Sequence, residues 1–297
     1  MKINLSFILS AFGMLVTSFI FCGCNEDYLS PFKSHPPAPA ERFALSMEYN
    51  NKHGYADIRV PNEQYNIYVC TDTHIASSNT TFARFVELYR NDIHCPVACC
   101  LGDLVEATYP YDIFVSAINE TPANPEKSDT LFVTPGNHDL FFKQWESFIR
   151  IWKTSVYYFT VSCPNGIKDL YICLDSAHAT LGRKQLAWLV KTLQDSQTNT
   201  YRHTIVYTHV NIFRRDNTYN DISTFALEES EELMALFSTY QVEQVWMGHD
   251  HGRDIFCQGG VKYILVDSFM DNKTGSYMVL HVGEHLYNTF HLISDAQ

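Results

Sequence analysis

The chain is short of charge. Asp, Glu, Lys and Arg make up 18% of its 297 residues, against 46% that are hydrophobic. Wholesale disorder is excluded, and there is apolar material for one sizeable core. Positive charge is scarcest, at 21 Lys and Arg against 33 Asp and Glu, a net −12. The longest positive run is Arg214-Arg215. A field of that sign repels a polyanionic backbone and argues against long nucleic acids as partners. There is no CxxC pair, no internal repeat and no second domain boundary.

The first residues carry an address rather than a fold. Lys2 precedes an apolar stretch from Ile3 to Phe21, then Cys22-Gly23-Cys24. This resembles a bacterial lipoprotein signal, with residues 1–23 as the removed segment and Cys24 as the acylated residue. The alternative is a signal anchor retained as a membrane helix. Residues 25–41 hold Pro31, Pro36, Pro37 and Pro39 and read as a tether. Asn25-Glu26-Asp27 resembles the surface-export signal of some envelope lipoproteins. The expectation is an exported lipoprotein, periplasmic or on the cell surface, held to a membrane by its lipid. Residues 24–64 are then tether and lead-in, and 65–297 the working domain. Seven cysteines remain after Cys22 and Cys24, an odd number. Cys70, Cys99, Cys100 and Cys173 sit in apolar runs, as small hydrophobes do. Cys163 and Cys257 are left as candidates for a disulfide after export.

From about residue 65 strand-like and helix-like stretches alternate. Strands are expected at 67–71, 97–101, 131–134, 156–161, 170–174 and 204–208, and helices at 82–90, 113–118, 144–152, 183–193 and 228–240. In the fourth of these helices Leu186, Leu189, Val190 and Leu193 share one face, opposite Lys184, Lys191 and Gln194. After Gly248 the pattern becomes alternating strands joined by Gly259-Gly260 and Asp271–Gly275, read as an antiparallel end. The class is α/β, with two facing β-sheets flanked by helices in a four-layer sandwich.

Five short motifs punctuate this frame: Asp72-Thr73-His74, Gly102-Asp103, Gly136-Asn137-His138-Asp139, His209, and Gly248-His249-Asp250-His251. Each follows a short apolar run that reads as a buried strand. All offer oxygen or imidazole donors, and none a thiolate, which favours Mn, Fe or Zn in a catalytic site over a soft structural one. Phosphate esters resist hydrolysis because their oxygens repel an anionic nucleophile. Two divalent cations about 3.5–4 Å apart neutralise those oxygens and acidify a water. Residues two apart in a strand share a face, so Asp72 with His74 and His249 with His251 are expected to chelate as pairs. The glycines are expected to turn the backbone sharply at the strand ends. Singly, each motif is commoner as a turn or a core histidine; it is the ordered set that points to chemistry.

The set resembles the calcineurin-like metallophosphoesterase superfamily over roughly residues 66–251. The resemblance implies that Asp72, His74 and His251 hold one divalent metal ion, that Asn137, His209 and His249 hold a second, and that Asp103 bridges them. It implies that His138 is no ligand and acts as general acid at the departing oxygen, while a hydroxide between the metals attacks in line. The family commonly has Asp three residues after the bridging Asp, paired with that His; here Glu106 stands there and is expected to orient His138. Purple acid phosphatases have a ligand Tyr at that position, so a Tyr-ligated ferric site is not expected. The expected substrate is a small phosphomonoester or phosphodiester. Arg214 and Arg215 are candidates to meet its phosphate. Tyr109 and Tyr111 either stack on a substrate ring or pack on the scaffold. The rival reading is a membrane-tethered binding module without turnover, whose mark would be lost ligands; none is lost.

Overall fold

The computed structural model describes residues 36–293, apart from 77, 79, 107, 126–129, 142, 214–223 and 271–274. Arg214, Arg215, Cys24 and residues 1–23, expected to be a signal segment, lie outside the described residues.

Among the described residues, twelve strands in two mixed sheets form the centre. The five-stranded sheet runs β12(Tyr287–Leu292), β11(Ser276–Val282), β2(Tyr65–Cys70), β3(Val97–Cys100), β4(Thr130–Val133). The seven-stranded sheet runs β1(Ala56–Arg59), β5(Tyr157–Ser162), β6(Lys168–Cys173), β7(Thr204–Tyr207), β8(Gln244–Met247), β10(Val261–Leu265), β9(Asp254–Gln258). Alternation explains their burial. In β2 Tyr65, Ile67 and Val69 face the other sheet, where they join Phe159, Tyr171, Tyr207 and Trp246. The opposite face of β2 and β3 supplies Cys70, Ala98 and Cys100, packed under α2(Thr80–Asn91), α3(Asp112–Glu120) and α4(Gln144–Trp152) through Phe82, Phe85, Phe114 and Phe148. On the far side α5(Gly182–Thr198) and α6(Leu227–Thr239) cover the seven-stranded sheet with Leu189, Leu193, Leu233 and Phe237. These are the four expected layers.

The order of the strands positions the site. β2, β3 and β4 are mutually parallel, as are β6, β7 and β8. The carboxyl ends of both parallel blocks carry the motif loops, so the five motifs meet where the two sheets end. The expected antiparallel finish holds for β11 and β12. It holds for β9 with β10 as well, but β10 also pairs parallel to β8, so the finish is not antiparallel throughout.

One helix was not legible. The sequence reading takes the tether to residue 41, but α1(Pro39–His53) begins at Pro39, a residue suited to a first helical turn. It buries Arg42, Ser46 and Asn50 rather than an apolar stripe. The Arg42 guanidinium is fully buried and grips Asp175 with two bonds, at 2.7 and 2.8 Å. Its Nη1 also donates to Pro37 O, and lies 2.6 Å from His178 Nδ1. Burial and then the adjacent guanidinium push His178 down, so it accepts there as neutral imidazole. All seven described cysteines are free; six are buried, Cys163 among them, and Cys257 is exposed.

Candidate metal centre

Three groups of donors lie with their atoms within 4.8 Å of one another: Asp72, His74 and His251; His74, Asp103 and His138; and Asp103, His209 and His249. They share members, so they form one continuous cluster. Asn137 joins it through Oδ1, 3.1 Å from His209 Nε2. Every sequence-identified donor is therefore in one place.

The chain reaches this arrangement by left-handed backbone rather than by strand geometry. β2 stops at Cys70 and β8 at Met247, so Asp72, His74, His249 and His251 all sit in loops. Asp72 (φ 49°), His74 (38°), Asp103 (51°), His249 (75°) and His251 (55°) make up half of the ten non-glycine residues of positive φ among those described. Such conformations cost about 1–3 kcal/mol each and persist only where surroundings impose them. Here the ladder does so. Asp72 N donates to Gly102 O (3.0 Å), His74 N to Asp103 O (3.0 Å) and Gly248 N to His209 O (2.8 Å).

The glycines have a different reason from the one expected. Of Gly102, Gly136 and Gly248, only Gly102 has positive φ, at 102°. Gly136 and Gly248 are required by close approach. A Cβ on Gly136 would overlap Asp103 Oδ1, and one on Gly248 would overlap Thr71 Oγ1 and stand 2.7 Å from Asp72 Oδ2.

Asp103 is the hinge of the cluster. Its Oδ1 accepts from His138 N (2.8 Å), while Oδ2 lies 3.7 Å from His74 Nε2 and 3.4 Å from His209 Nε2. Asp72 Oδ2 accepts from Thr71 Oγ1 (2.7 Å) and His249 N (3.0 Å). Its Oδ1 is buried and lacks a hydrogen-bond partner, since His251 Nε2 at 3.4 Å is close but misaligned. A fully buried carboxylate oxygen without a partner is costly, and a cation would satisfy it. His209 donates from Nδ1 to Leu101 O (2.8 Å), which fixes its tautomer and leaves Nε2 for the cluster. The residues thus fit divalent cations.

The electrostatics agree. Burial pushes Asp72 and Asp103 up, and the imidazoles around them, His251 and His209 above all, more than reverse it, so both stay below the usual carboxylate range. Burial would lower His209, but Asp103 overrides it and holds the ring up at about 10, so an incoming cation would have to displace the Nε2 proton to be bound there. Burial keeps His74 and His249 down, as neutral donors.

Glu106 lies between two rings. Its Oε1 is 3.5 Å from His138 Nδ1 and its Oε2 is 3.2 Å from His74 Nδ1. It is half exposed and precedes α3 by several residues, not at a helix start. Two further residues escaped the sequence reading of roles. Asp139, fully buried, accepts from Gly136 N (2.8 Å), Leu104 N and Tyr111 Oη, and so clamps the third motif to the second. Burial and then the Asp103 charge push it up to about 7. Its place at the end of Gly-Asn-His-Asp was the available signal. Asn211 donates to Asp250 Oδ2 (2.6 Å), tying the His209 loop to the last motif; nothing in the sequence marked it.

Known proteins place this geometry. Solved structures of the same fold include a dimetal phosphatase from Danio rerio (TM-score 0.58, 12% identity, 78% of this chain and 99% of that one). Others are the anchor in the inner membrane complex of Plasmodium (0.58, 12%, 79% and 86%) and a purple acid phosphatase from yellow lupin (0.53, 11%, 80% and 53%). Identities this low speak for fold alone. No curated protein matches the chain. The model of the calcineurin-like phosphoesterase domain matches residues 65–253, well over half of the chain and all five motifs, and the chain belongs to that family.

Proposed function

We propose that this phosphoesterase hydrolyses small phosphate esters at a centre of two divalent cations. Asp72, His74 and His251 would hold one, and Asn137, His209 and His249 the other. Asp103 would be shared. The observation that carries this is the placement of Asp103 Oδ2 between His74 Nε2 and His209 Nε2, at 3.7 and 3.4 Å. When bound, such cations neutralise the non-bridging phosphate oxygens and supply an acidified water.

The chain's own groups do the rest. Thr71 and the His249 backbone hold Asp72, and the Leu101 carbonyl holds His209, so the donors are set before a cation arrives. His138 is 30% exposed, more open than His74 at 11% and His209 at 0%, and is the ring we place beside the ester. It delivers a proton to the departing alcohol oxygen. Glu106, whose Oε1 stands 3.5 Å from His138 Nδ1, orients the ring. Asp139 keeps the Gly136 loop against Asp103.

His138 also falls within reach of His74 and Asp103 as a third donor. His138→Ala separates the roles. An acid loses much of the rate and keeps both cations; a ligand loses a cation. Hydrolysis of a panel of mono- and diesters with Mn, Zn and a chelator control tests the activity. No turnover of any ester would leave a binding module, a reading that the intact donor set does not favour.

The lipid anchor at Cys24 is part of the same proposal, resting on Cys22-Gly23-Cys24 after the apolar stretch. Among the described residues no helix is long and apolar enough to cross a membrane. Labelling with a palmitate analogue, lost in Cys24→Ser, tests it.

A further inference from the structure

Two large aromatic side chains stand half in solvent close in the chain to His138 and Glu106, where burial would ordinarily be favoured. Tyr109 is 38% exposed and Phe141 41%. Both segments are fixed. Tyr109 N donates to Glu106 O (2.8 Å), and Phe141 follows the turn in which Leu140 N donates to Asn137 O (3.2 Å). Gln144, itself buried, joins the two: its backbone N donates to Phe141 O (2.9 Å) and its side chain to Tyr109 O (2.6 Å). Tyr111, two residues on, behaves differently. It is 2% exposed, packs against Phe148 and Trp152, and spends its hydroxyl on Asp139. Of the two candidate rings in that stretch, the scaffold has taken Tyr111 and left Tyr109 out.

We infer that Tyr109 and Phe141 form the leaving-group subsite, and that the preferred substrates are phosphate esters whose departing alcohol carries a planar aromatic ring, a nucleoside or an aryl group. This rests on the reading above, in which His138 faces the departing oxygen. The alcohol beyond that oxygen then lies along the segments that flank His138 and its partner Glu106, and each of them presents an exposed ring. Aromatic faces bind planar rings by stacking, with little demand on ring identity. An aliphatic alcohol gains only contact area from the same surface.

Paired esters with equivalent leaving oxygens test this. Adenosine 5′-monophosphate and ribose 5-phosphate both release a primary alkoxide and differ by the base. Benzyl and cyclohexylmethyl phosphate differ by planarity. The expected kcat/KM ratio favours the planar member by about tenfold or more in the wild type. Tyr109→Ala and Phe141→Ala each lower the ratio severalfold, and the double variant brings it near unity. Ile93→Ala, an apolar side chain 67% exposed at the opposite end of β3, keeps the wild-type ratio. Preference within both pairs assigns any planar ring; preference within the first pair alone assigns the nucleoside. Good turnover with a wild-type ratio near unity overturns the subsite and leaves the phosphoesterase reading standing, as does a ratio that survives the double variant. Four inert esters with every divalent cation tried overturn both.

Discussion

Gly136 lies against the carboxylate of Asp103, with no room for a methyl group between them. The shared ligand is thus seated by the absence of a side chain on the neighbouring loop. Gly136→Ala is expected to displace Asp103 and cost about a hundredfold or more in turnover, the scale of an ångström-sized misplacement. Gly283→Ala, whose Cβ would meet Gln64 Cγ at 3.6 Å and His285 O at 3.9 Å, both ordinary contacts, is the tolerated control. Equal activity in the two variants would show that Asp103 is not held this way.

Glu106 is expected to act through His138. Glu106→Gln should keep the cations and lose about ten- to a hundredfold in kcat on alkyl esters, the usual scale for an outer partner of a functional ring. Aryl esters with good leaving groups need less proton donation and should lose less. A uniform loss across leaving groups would place Glu106 with His74, 3.2 Å away, as a support for the metal centre instead.

The Arg42–Asp175 pair fastens α1 to the domain. Both side chains are essentially buried, at 0% and 2% exposure. Arg42→Met leaves Asp175 without its cation and is expected to cost about 3–5 kcal/mol in urea unfolding. Adding Asp175→Leu removes the stranded charge, so the double variant should be more stable than the single one. A double variant less stable than Arg42→Met would contradict this.

His203 gives stability a pH dependence away from the metal centre. Its Nδ1 faces Glu243 Oε1 (2.7 Å) and its Nε2 faces Gly283 O (2.9 Å). Only the imidazolium donates to both. Burial pushes the ring down, but these two acceptors win and raise it above the ordinary 6.5. A raised folded-state value means that the stabilisation is fully present below about pH 6.5 and fades as pH rises through the folded value. The difference in Tm between wild type and His203→Gln should therefore shrink from pH 6 toward pH 9. A difference that grows with pH would reverse the assignment.

What the sequence disclosed follows from which forces leave a pattern. β2, β3 and β7 are buried apolar runs, and the donors stand directly after them, so both were readable. α1 was not. Its inward positions Arg42, Ser46 and Asn50 recur every four residues but are polar, so no apolar period marks a helix. β1 is mostly exposed and pairs only at the sheet edge, without alternation. The pairing of Asp72 with His74 was legible, but its cause was not. Left-handed backbone at Asp and His depends on a ladder supplied by residues 29 to 39 positions away. The exposure of Tyr109 against the burial of Tyr111 likewise depends on where α4 lies, which no local pattern records.

The most direct test is the metal content of purified wild type and Asp103→Asn, measured beside hydrolysis of one simple ester. The wild type should hold two divalent cations per chain. Asp103→Asn should retain at most one and lose activity with it. Two cations and full turnover in Asp103→Asn, or a wild type that hydrolyses the ester with no cation bound, would contradict this.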